Sequence, residues 1–492
     1  MSRKTKFWKR SLTVTTVALL SLQVTLWQGS AAAENVAPVE IVSMREEGVK
    51  YFDKGNGHYT AALYGTPVHY QENGEWKEID NTLQTVQLSG NLLAAVPQTM
   101  AAQQTGNTVS YLKNTANDFD VWLPSAVSGD APFMISYKGH TLRFSMTNTA
   151  VRTATVAPAE EAAPASADDA ELDALTQVTT GASATYENVR GNTDLVCNLH
   201  AKRLEEKLVL SQPTDGGTYQ YRLYYTGLTA ALREDNAVVF TDTETEEEIF
   251  CLVSPYMVDA QDDFSGAVDV ALTPTADGCI YAVTPEAEWL QDDERSYPVT
   301  LSTSYQATTA RDANSIADTT VHSGSPNANF YTLDRLYVGS YVSGGNAYEH
   351  RTFIRFTMPS AVSSSDVIEN AYMYMTYYPS YQSGDNNTYR AYAASWNFDS
   401  STLTWNTQAS PAYGTAAPGS VVARTTDSSS TVHAYNVTNL VTNWITYGYA
   451  NYGIVIKPTS VDTQKTNRTC YVSSDSGATN KRPYVTINYH HA

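Results

Sequence analysis

Short alternating runs of apolar and polar residues, separated by turn sequences, dominate this chain from Lys50 onward. Runs rich in Val, Ile, Tyr, Phe and Thr alternate as half-buried antiparallel strands do, with turns about every 8–12 residues. One such turn, Asn73-Gly74, predicts a hairpin that joins residues 68–70 to residues 76–79. The pattern predicts an all-β protein, with an irregular antiparallel N-terminal module followed by a jelly-roll-like β-sandwich.

The first third of the chain divides by composition. Residues 1–33 carry five basic residues, then an apolar run, then Ala31-Ala32-Ala33, and this order predicts a secretory signal peptide. We expect residues 34–49 to be an unstructured lead-in and residues 50–304 to form the N-terminal module. Within that module, residues 149–175 are rich in Ala, Pro and acidic residues and lack aromatic ones, which predicts a flexible acidic loop.

Residues 308–490 predict the second module, with ten short strands and one helix. Asn436 can cap the helix, and apolar residues follow at helical spacing from Val437 to Ile445. Such a stripe is typical of core packing, and we expect three tryptophans of this module to be core residues as well: Trp396, Trp405 and Trp444.

The net charge limits the possible partners, and the cysteine spacing limits the possible metal sites. The net charge of −20 disfavours binding to phosphate backbones, so we expect no nucleic-acid partner, and no stretch after the signal peptide is long and apolar enough to span a membrane. The four cysteines show no metal-ligand spacing. Buried free thiols are the favoured interpretation, with one disulfide among Cys197, Cys251 and Cys279 as the alternative.

The last third resembles the DNRLRE domain, a secreted β-sandwich module of Gram-positive bacteria that overlaps a carbohydrate-binding module family. The resemblance implies an extracellular module that binds carbohydrate. It rests on a series of short motifs in the expected order: Asp318-Thr319-Thr320-Val321, Ser325-Pro326-Asn327, Leu336 with Val338-Gly339, Arg351 with Phe353-Ile354-Arg355-Phe356, Thr404-Trp405-Asn406, Val437-Thr438 with Leu440-Val441 and Trp444, Asn451-Tyr452-Gly453-Ile454, Ser473-Ser474 and Arg482-Pro483. The motif that gives the domain its name is matched only in part, by Asp334-Arg335-Leu336.

Residues 59–301 resemble the module that precedes such domains in secreted YD/RHS-repeat proteins of the wall-associated type. The motifs that carry this second resemblance are Thr66-Pro67-Val68-His69-Tyr70, Trp76 with Glu78-Ile79-Asp80-Asn81, Tyr186 with Asn188-Val189, Thr193-Asp194-Leu195, Lys207 with Leu210, and Pro298-Val299-Thr300. It implies that the chain is either a separate surface protein or the N-terminal part of a toxin system.

No catalytic motif is present: the chain has no zinc-protease helix motif, nucleophile elbow, phosphate loop or dinucleotide fingerprint. We therefore predict that the chain is not an enzyme and has no catalytic residues. A carboxylate pair for glycoside cleavage stays open, because such pairs are set by the fold and not by sequence spacing.

Surplus tyrosines suggest a binding surface. Flat aromatic faces cover the apolar face of a sugar ring, and only one side of a strand can face the core, so some tyrosines of residues 372–381 must point outward. The predicted ligand-binding residues are Tyr374, Tyr378 and Tyr381 of this segment and two tyrosines expected in loops, Tyr341 and Tyr348. Their alternative is to cover a sheet face or pack against a neighbouring domain.

A structural calcium ion is the one cofactor considered. Asp318 and Asn327 offer hard oxygen ligands near the first strand of the second module, which suits calcium. Together, these patterns predict a secreted, non-catalytic cell-surface protein that binds a polysaccharide or cell-wall glycan. The alternatives are a structural N-terminal part of a YD/RHS-type toxin or adhesin assembly, and a polysaccharide hydrolase or lyase.

Overall fold

The computed structural model describes residues 38–88, 108–128, 131–157, 181–261, 263–307, 316–343, 345–378, 387–424, 426–429, 431–476 and 481–492. These residues are almost all β, and every pair of strands found among them is antiparallel. The all-β prediction is confirmed. The predicted signal peptide lies outside the described residues.

The strands follow one another along the chain with few helical interruptions. The first group is β1 (Val39–Glu40), β2 (Val49–Asp53), β3 (His58–Tyr64), β4 (His69–Glu72), β5 (Glu75–Glu78), β6 (Asp80–Leu88), β7 (Val109–Ala116), β8 (Asp120–Pro124), β9 (Ala126–Val127), β10 (Phe133–Tyr137), β11 (His140–Met146), β12 (Arg152–Thr153) and β13 (Thr155–Ala157). The second group is β14 (Ala182–Arg190), β15 (Thr193–Leu199), β16 (Arg203–Leu210), β17 (Tyr219–Tyr224), β18 (Leu228–Leu232), β19 (Val238–Asp242), β20 (Glu248–Val258), β21 (Phe264–Ser265), β22 (Val268–Thr275), β23 (Gly278–Pro285), helix α1 (Ala287–Leu290) and β24 (Val299–Ala307). The third group is β25 (Ile316–His322), β26 (Arg335–Ser343), β27 (Asn346–Phe356), β28 (Val367–Tyr378), β29 (Asn387–Ala394), β30 (Tyr413–Ala416), β31 (Val421–Ala423), β32 (Val432–Asn436), helix α2 (Thr438–Ile445), β33 (Ile454–Pro458), β34 (Asn467–Val472) and β35 (Tyr484–His490).

The N-terminal module is built from two facing sheets. One has the order β22-β23-β17-β11-β10-β8-β7-β6, and the other has the order β13-β14-β15-β16-β24-β20-β19-β18 with β21 on β20. Alternate residues of both sheets enter one core, as expected when each sheet buries one face. Phe144 of β11 and Tyr305 of β24 stack across this core, with ring centres 4.0 Å apart.

The C-terminal module is one long, curled sheet. Its order is β1-β2-β3-β35-β28-β34-β26-β27-β33-β29-β30, with β25 on β27, β31 on β29 and β32 on β28. Residues from both ends of this order share a single core, for example Tyr51 of β2 and Tyr389 of β29. The sheet therefore closes on itself as a sandwich does.

Strands β2 and β3 lie in the C-terminal sheet, although the sequence pattern placed them in the N-terminal module. The closing strand β35 pairs with β3 along its whole length, from His58 opposite His490 to Tyr64 opposite Tyr484. Strand periodicity shows which face is buried but does not show which distant strand will be the partner. The module boundary for the rest of the chain stays a prediction.

Two segments expected to be irregular are ordered. In the lead-in, Val39–Glu40 pairs with β2, and Ile41 and Met44 pack against the C-terminal core, so the prediction of an unstructured segment is wrong for residues 38–49. In the acidic segment, β12 pairs with β9 and β13 pairs with β14, so residues 152–157 are strand residues. Residues 158–180, which include the rest of the predicted flexible loop, lie outside the described residues.

The predicted helix is confirmed. The side-chain oxygen of Asn436 accepts the backbone N–H of Thr438 at 3.1 Å, while Leu440 and Val441 are buried and Trp444 packs against the same core. Helix α1, a single turn, was not expected from the sequence. All four cysteines are buried thiols and form no disulfide within the described ranges, as the favoured interpretation predicted.

A buried network of charges joins β16 to the loop that precedes β35. Arg203 donates to the Asp475 carboxylate at 2.6 Å and to the Asp475 carbonyl at 2.8 Å, and Arg482 donates to the Ser476 carbonyl at 2.8 Å. His200 contacts Arg482, and Glu205 accepts from Asn198 at 3.0 Å. Although burial raises the pKa of Glu205, the positive charges around it hold that pKa below its usual range. Arg203 and Glu205 each have a partner of opposite charge, Asp475 and Lys207 respectively.

Candidate functional site

A pocket of about 390 Å³ lies between the end of β20 and the face of the C-terminal sheet. Its volume falls in the range of small-ligand sites, about 300–1,000 Å³. One wall comes from strands β25, β26, β27 and β34, and the other comes from the segment that follows β20. Most of its lining residues therefore belong to the C-terminal module.

Tyr341 lines the pocket and forms an aromatic pair with Tyr348, which does not line it. They lie directly opposite each other on β26 and β27, with ring centres 6.4 Å apart. The expectation that they are loop residues is wrong, because these two strands extend past the predicted ends at Val338 and His350. A cross-strand pair is held more rigidly than two loop residues, which suits a surface for a flat ligand.

Two stacked histidines continue the aromatic wall. The rings of His322 and His350 are 4.0 Å apart and nearly parallel, and His322 is 5.7 Å from Tyr348. Burial lowers the pKa of His322 to about 4, helped by the nearby charge of Arg468, and burial also takes the pKa of His350 well below its usual value. Both rings are therefore neutral at pH 7. One nitrogen of each, Nε2 of His322 and Nδ1 of His350, is buried without a hydrogen-bond partner.

Arg468 supplies the positive charge of this wall. Its side chain is 8% exposed, and its guanidinium lies 4.9 Å from the ring centres of both Tyr337 and Tyr341. Its Nε atom has no hydrogen-bond partner, and no ion pair with Arg468 is found in the described part of the chain. By contrast, Arg335 at the pocket edge pairs with Asp334 at 2.8 Å. A buried cation without an anion is costly, so this position favours a ligand that brings acceptor oxygens.

The opposite wall is acidic and partly neutralised. Asp259, Asp263 and Glu294 line it. Arg295 pairs with Asp259 at 3.1 Å and with Asp263 at 2.7 Å. The pocket thus presents aromatic faces and one unpaired cation on one side and carboxylate acceptors on the other. Such a mixture suits a ligand rich in hydroxyl groups.

The remaining predicted tyrosines do not gather in this pocket. Tyr378 lies under the Arg335 guanidinium, at 4.6 Å, and packs against the aromatic cluster that forms the pocket floor. Tyr374 stacks on Tyr484 of β35 with ring centres 4.6 Å apart, and it does not line the pocket. Tyr381 lies outside the described residues.

Asp318 and Asn327 make separate contacts. Asp318 is buried and accepts the backbone N–H of Ser474 at 2.8 Å, and burial next to Asp475 raises its pKa to about 7. Asn327 accepts from the side chain of Asn406 at 2.8 Å. A calcium ion at these two residues stays a prediction.

A second aromatic surface was missed in the sequence. Tyr447 and Tyr449, in the segment that follows α2, are 66% and 65% exposed, and Tyr452 is 37% exposed. The rings of Tyr447 and Tyr449 are 6.5 Å apart. The run Gly448-Tyr449-Ala450-Asn451-Tyr452-Gly453 could have identified them, since tyrosines placed between glycines just past a helix end lie outside its apolar stripe.

Comparison with protein families bears on the same region. Residues 309–489 match carbohydrate-binding module family 96. The match supports a carbohydrate-binding-module-like β-sandwich. The DNRLRE domain and the YD/RHS-type module are not shown by this match, so both resemblances stay predictions.

Three Bacillus proteins are similar over most of the chain. They are a tRNA(Glu)-specific nuclease WapA of Bacillus subtilis subsp. natto, a tRNA3(Ser)-specific nuclease WapA of Bacillus spizizenii, and a tRNA nuclease WapA of Bacillus subtilis strain 168. Each is 24% identical over 477 residues, which cover 92% of this chain. The chain spans 18% of the length of these relatives.

These relatives correct the prediction that the chain is not an enzyme. The three relatives, which align with 92% of the chain, are named as tRNA nucleases. The prediction used only the absence of short catalytic motifs, and a site that the fold assembles from distant residues leaves no such motif.

One solved structure aligns at low similarity. The N-terminal domain of a Streptococcus gordonii adhesin is 8% identical, and the alignment covers 93% of this chain and 96% of that one. Its TM-score of 0.15 is too low to support a shared fold. Separately, no helix in the described ranges is long and apolar enough to cross a membrane.

Proposed function

We propose that residues 309–489 bind a polysaccharide or cell-wall glycan through the pocket beside Tyr341 and Arg468. The observation that carries the proposal is the buried, unpaired guanidinium of Arg468, which lies 4.9 Å from two tyrosine rings in a pocket of ligand size. The family match to a carbohydrate-binding module supports the ligand class.

The pocket chemistry suits a sugar in two ways. The ring face of Tyr341 can cover the apolar face of a pyranose, and the edges of the Arg468 guanidinium can donate to sugar oxygens. Carboxylates of the opposite wall, such as Asp263, can accept from sugar hydroxyls. Sugar binding therefore gives Arg468 the acceptors that the protein itself does not supply.

The test is a panel of neutral and acidic polysaccharides, including cell-wall glycans, probed with wild-type protein and two variants. Arg468→Met keeps the bulk of the side chain and removes its donors, while Arg424→Ala removes an exposed arginine of the same module as the control. We expect at least one glycan to bind wild type and the control but to lose affinity for Arg468→Met. Folded protein that binds no glycan, or equal binding by all three proteins, would contradict the proposal.

We also propose that the protein is secreted and acts outside the cell. The basic residues, apolar run and Ala31-Ala32-Ala33 of residues 1–33 support this location. Expression in a Gram-positive host followed by N-terminal sequencing is the test. A secreted product that begins just after Ala33 is expected, whereas full-length protein retained in the cytoplasm would contradict secretion.

A second candidate function comes from the relatives. We infer that the chain works as part of a tRNA nuclease within a larger secreted assembly, because nucleases align with 92% of it and it spans 18% of their length. Purified chain, alone and with candidate assembly partners, should cleave tRNA, detected as new 5′ ends. Intact tRNA in both reactions would contradict this candidate.

A further inference from the structure

Three polar side chains meet on the outside of the C-terminal sheet. They are His58 on β3, Glu369 on β28 and His490 on β35, and these strands are neighbours in the order β3-β35-β28. His58 and His490 face each other in the register of β3 and β35. Strand pairing thus brings Glu369 next to His58 and His490, which are 311 and 121 positions away in the chain.

An irregularity in β28 places the carboxylate. The register of β28 against β35 shifts between Ile368 and Asn370, so that Glu369 occupies the extra position. Such bulges re-aim a side chain at functional places in sheets. Glu369 Oε1 lies 2.6 Å from Nδ1 of His58 and 2.7 Å from Nδ1 of His490. Both imidazoles therefore converge on one carboxylate oxygen.

The three side chains are partly exposed to solvent, and one of them, Glu369, carries a negative charge. The side chains of His58, Glu369 and His490 are 48%, 31% and 37% exposed. Burial raises the pKa of Glu369, but the two histidines beside it outweigh burial and lower that pKa overall. The carboxylate is ionised at neutral pH, and each histidine in its neutral form offers a lone pair.

We propose that His58, Glu369 and His490 bind a divalent transition-metal ion, with zinc as the best match. Two imidazole nitrogens and one carboxylate oxygen form a recognised set of three protein ligands for zinc, with water at the open position. One ligand atom from each residue lies within 4.8 Å of the others, so small side-chain movements are enough to surround an ion. The ion would link β3, β35 and β28.

A second cluster, of one histidine and two glutamates, shows what excludes an ion. Glu40, His69 and Glu78 also lie close together, but Glu40 pairs with Arg45 at 2.7 Å and Glu78 pairs with Lys50 at 2.7 Å. Cationic side chains already neutralise both carboxylates there. The cluster around Glu369 has no Arg or Lys partner among the described residues, so its place for a cation is open.

The test is calorimetric titration of zinc chloride into untagged, chelator-treated full chain at pH 7.5. Wild type should bind one zinc ion, and His58→Ala, Glu369→Gln and His490→Ala should each bind at least about tenfold more weakly. His491→Ala is the matched control, since His491 follows His490 in the chain but pairs with Asp366 at 2.8 Å instead.

Two results would overturn the proposal. One is wild-type protein that binds no zinc, and the other is zinc binding that survives all three substitutions. If a variant unfolds, cobalt(II) added to wild type gives an independent answer. A visible absorption band typical of four or five ligands supports the site, and the spectrum of hydrated cobalt contradicts it.

Discussion

Arg203 of the charge network and Arg468 of the pocket are both buried, but only Arg203 forms an ion pair among the described residues. In the network, Arg203 donates to the carboxylate of Asp475 at 2.6 Å. In the pocket, Arg468 is nearly as buried but has only the faces of Tyr337 and Tyr341 beside it. An arginine that is paired with a carboxylate, as Arg203 is, stabilises the fold. A buried arginine without an ion pair, as Arg468 is, keeps hydrogen-bond donors for a ligand.

The largest expected effect comes from breaking the network. Arg203→Met leaves Asp475 buried without its main cation, and we expect it to lower the free energy of unfolding by about 3–5 kcal/mol. Urea unfolding measures this loss. Arg233→Met is the control, because its ion pair with Glu248 lies at the surface and contributes only about 0–1 kcal/mol. Equal losses in both variants would contradict the structural assignment of the network.

Glu206 offers a third situation, a buried carboxyl group without a cation. Burial raises its pKa to about 8, and its Oε1 atom has no hydrogen-bond partner. Because the folded state holds the proton more tightly than the unfolded state, stability should fall as pH rises from about 4.3 to about 8.

Glu206→Gln removes this titration while keeping the shape of the side chain. We expect it to raise the free energy of unfolding at pH 8 by roughly 1–3 kcal/mol and to flatten its decline between pH 5 and pH 8. Thermal unfolding across this range is the measurement. A variant whose pH profile matches wild type would show that Glu206 is already ionised in the folded protein.

Arg468→Met should change binding and leave stability nearly unaltered. We expect glycan affinity to fall about tenfold, or about 1.4 kcal/mol, because the donors are lost. The free energy of unfolding should change by less than about 1 kcal/mol, since no ion pair is broken. Calorimetric titration and urea unfolding on the same samples measure both quantities. A loss of several kcal/mol in stability would place Arg468 with Arg203, as a structural residue.

The smallest expected effect is a difference in glycan binding between variants of two predicted tyrosines, Tyr341 and Tyr374. Tyr341→Ala should weaken glycan binding roughly three- to tenfold, matching about 0.5–1.5 kcal/mol for one aromatic contact. Tyr374→Ala should leave it unchanged, because Tyr374 stacks on Tyr484 away from the pocket. Affinity gels with the bound glycan measure this contrast. If only Tyr374→Ala lost glycan binding, the binding site would lie at Tyr374 and not in the pocket.

Local features were predictable from the sequence. The hairpin at Asn73-Gly74 and the helix after Asn436 are present because positive φ angles at the turn and the apolar stripe of the helix are local properties. Tyr341 and Tyr348 were named as ligand-binding residues, although their strand setting was not foreseen. Arg468 was missed, because its environment depends on β34 pairing with β26, a contact between distant segments.

The similarity to proteins named as nucleases could not be predicted from short motifs. Short motifs identify chemistry only where catalytic residues lie close together in the chain, whereas strand pairing here joins residues as distant as His58 and His490. The comparison with these relatives therefore supplied a candidate function that residue spacing did not.

The central claim is that a saccharide lies in the pocket between Tyr341 and Arg468. A crystal structure of the chain with a bound oligosaccharide, taken from the polysaccharide that binds best, tests it most directly. We predict a sugar ring against Tyr341 with an oxygen within hydrogen-bond distance of the Arg468 guanidinium. A sugar bound instead at the exposed tyrosines Tyr447 and Tyr449, with the pocket empty, would contradict the account.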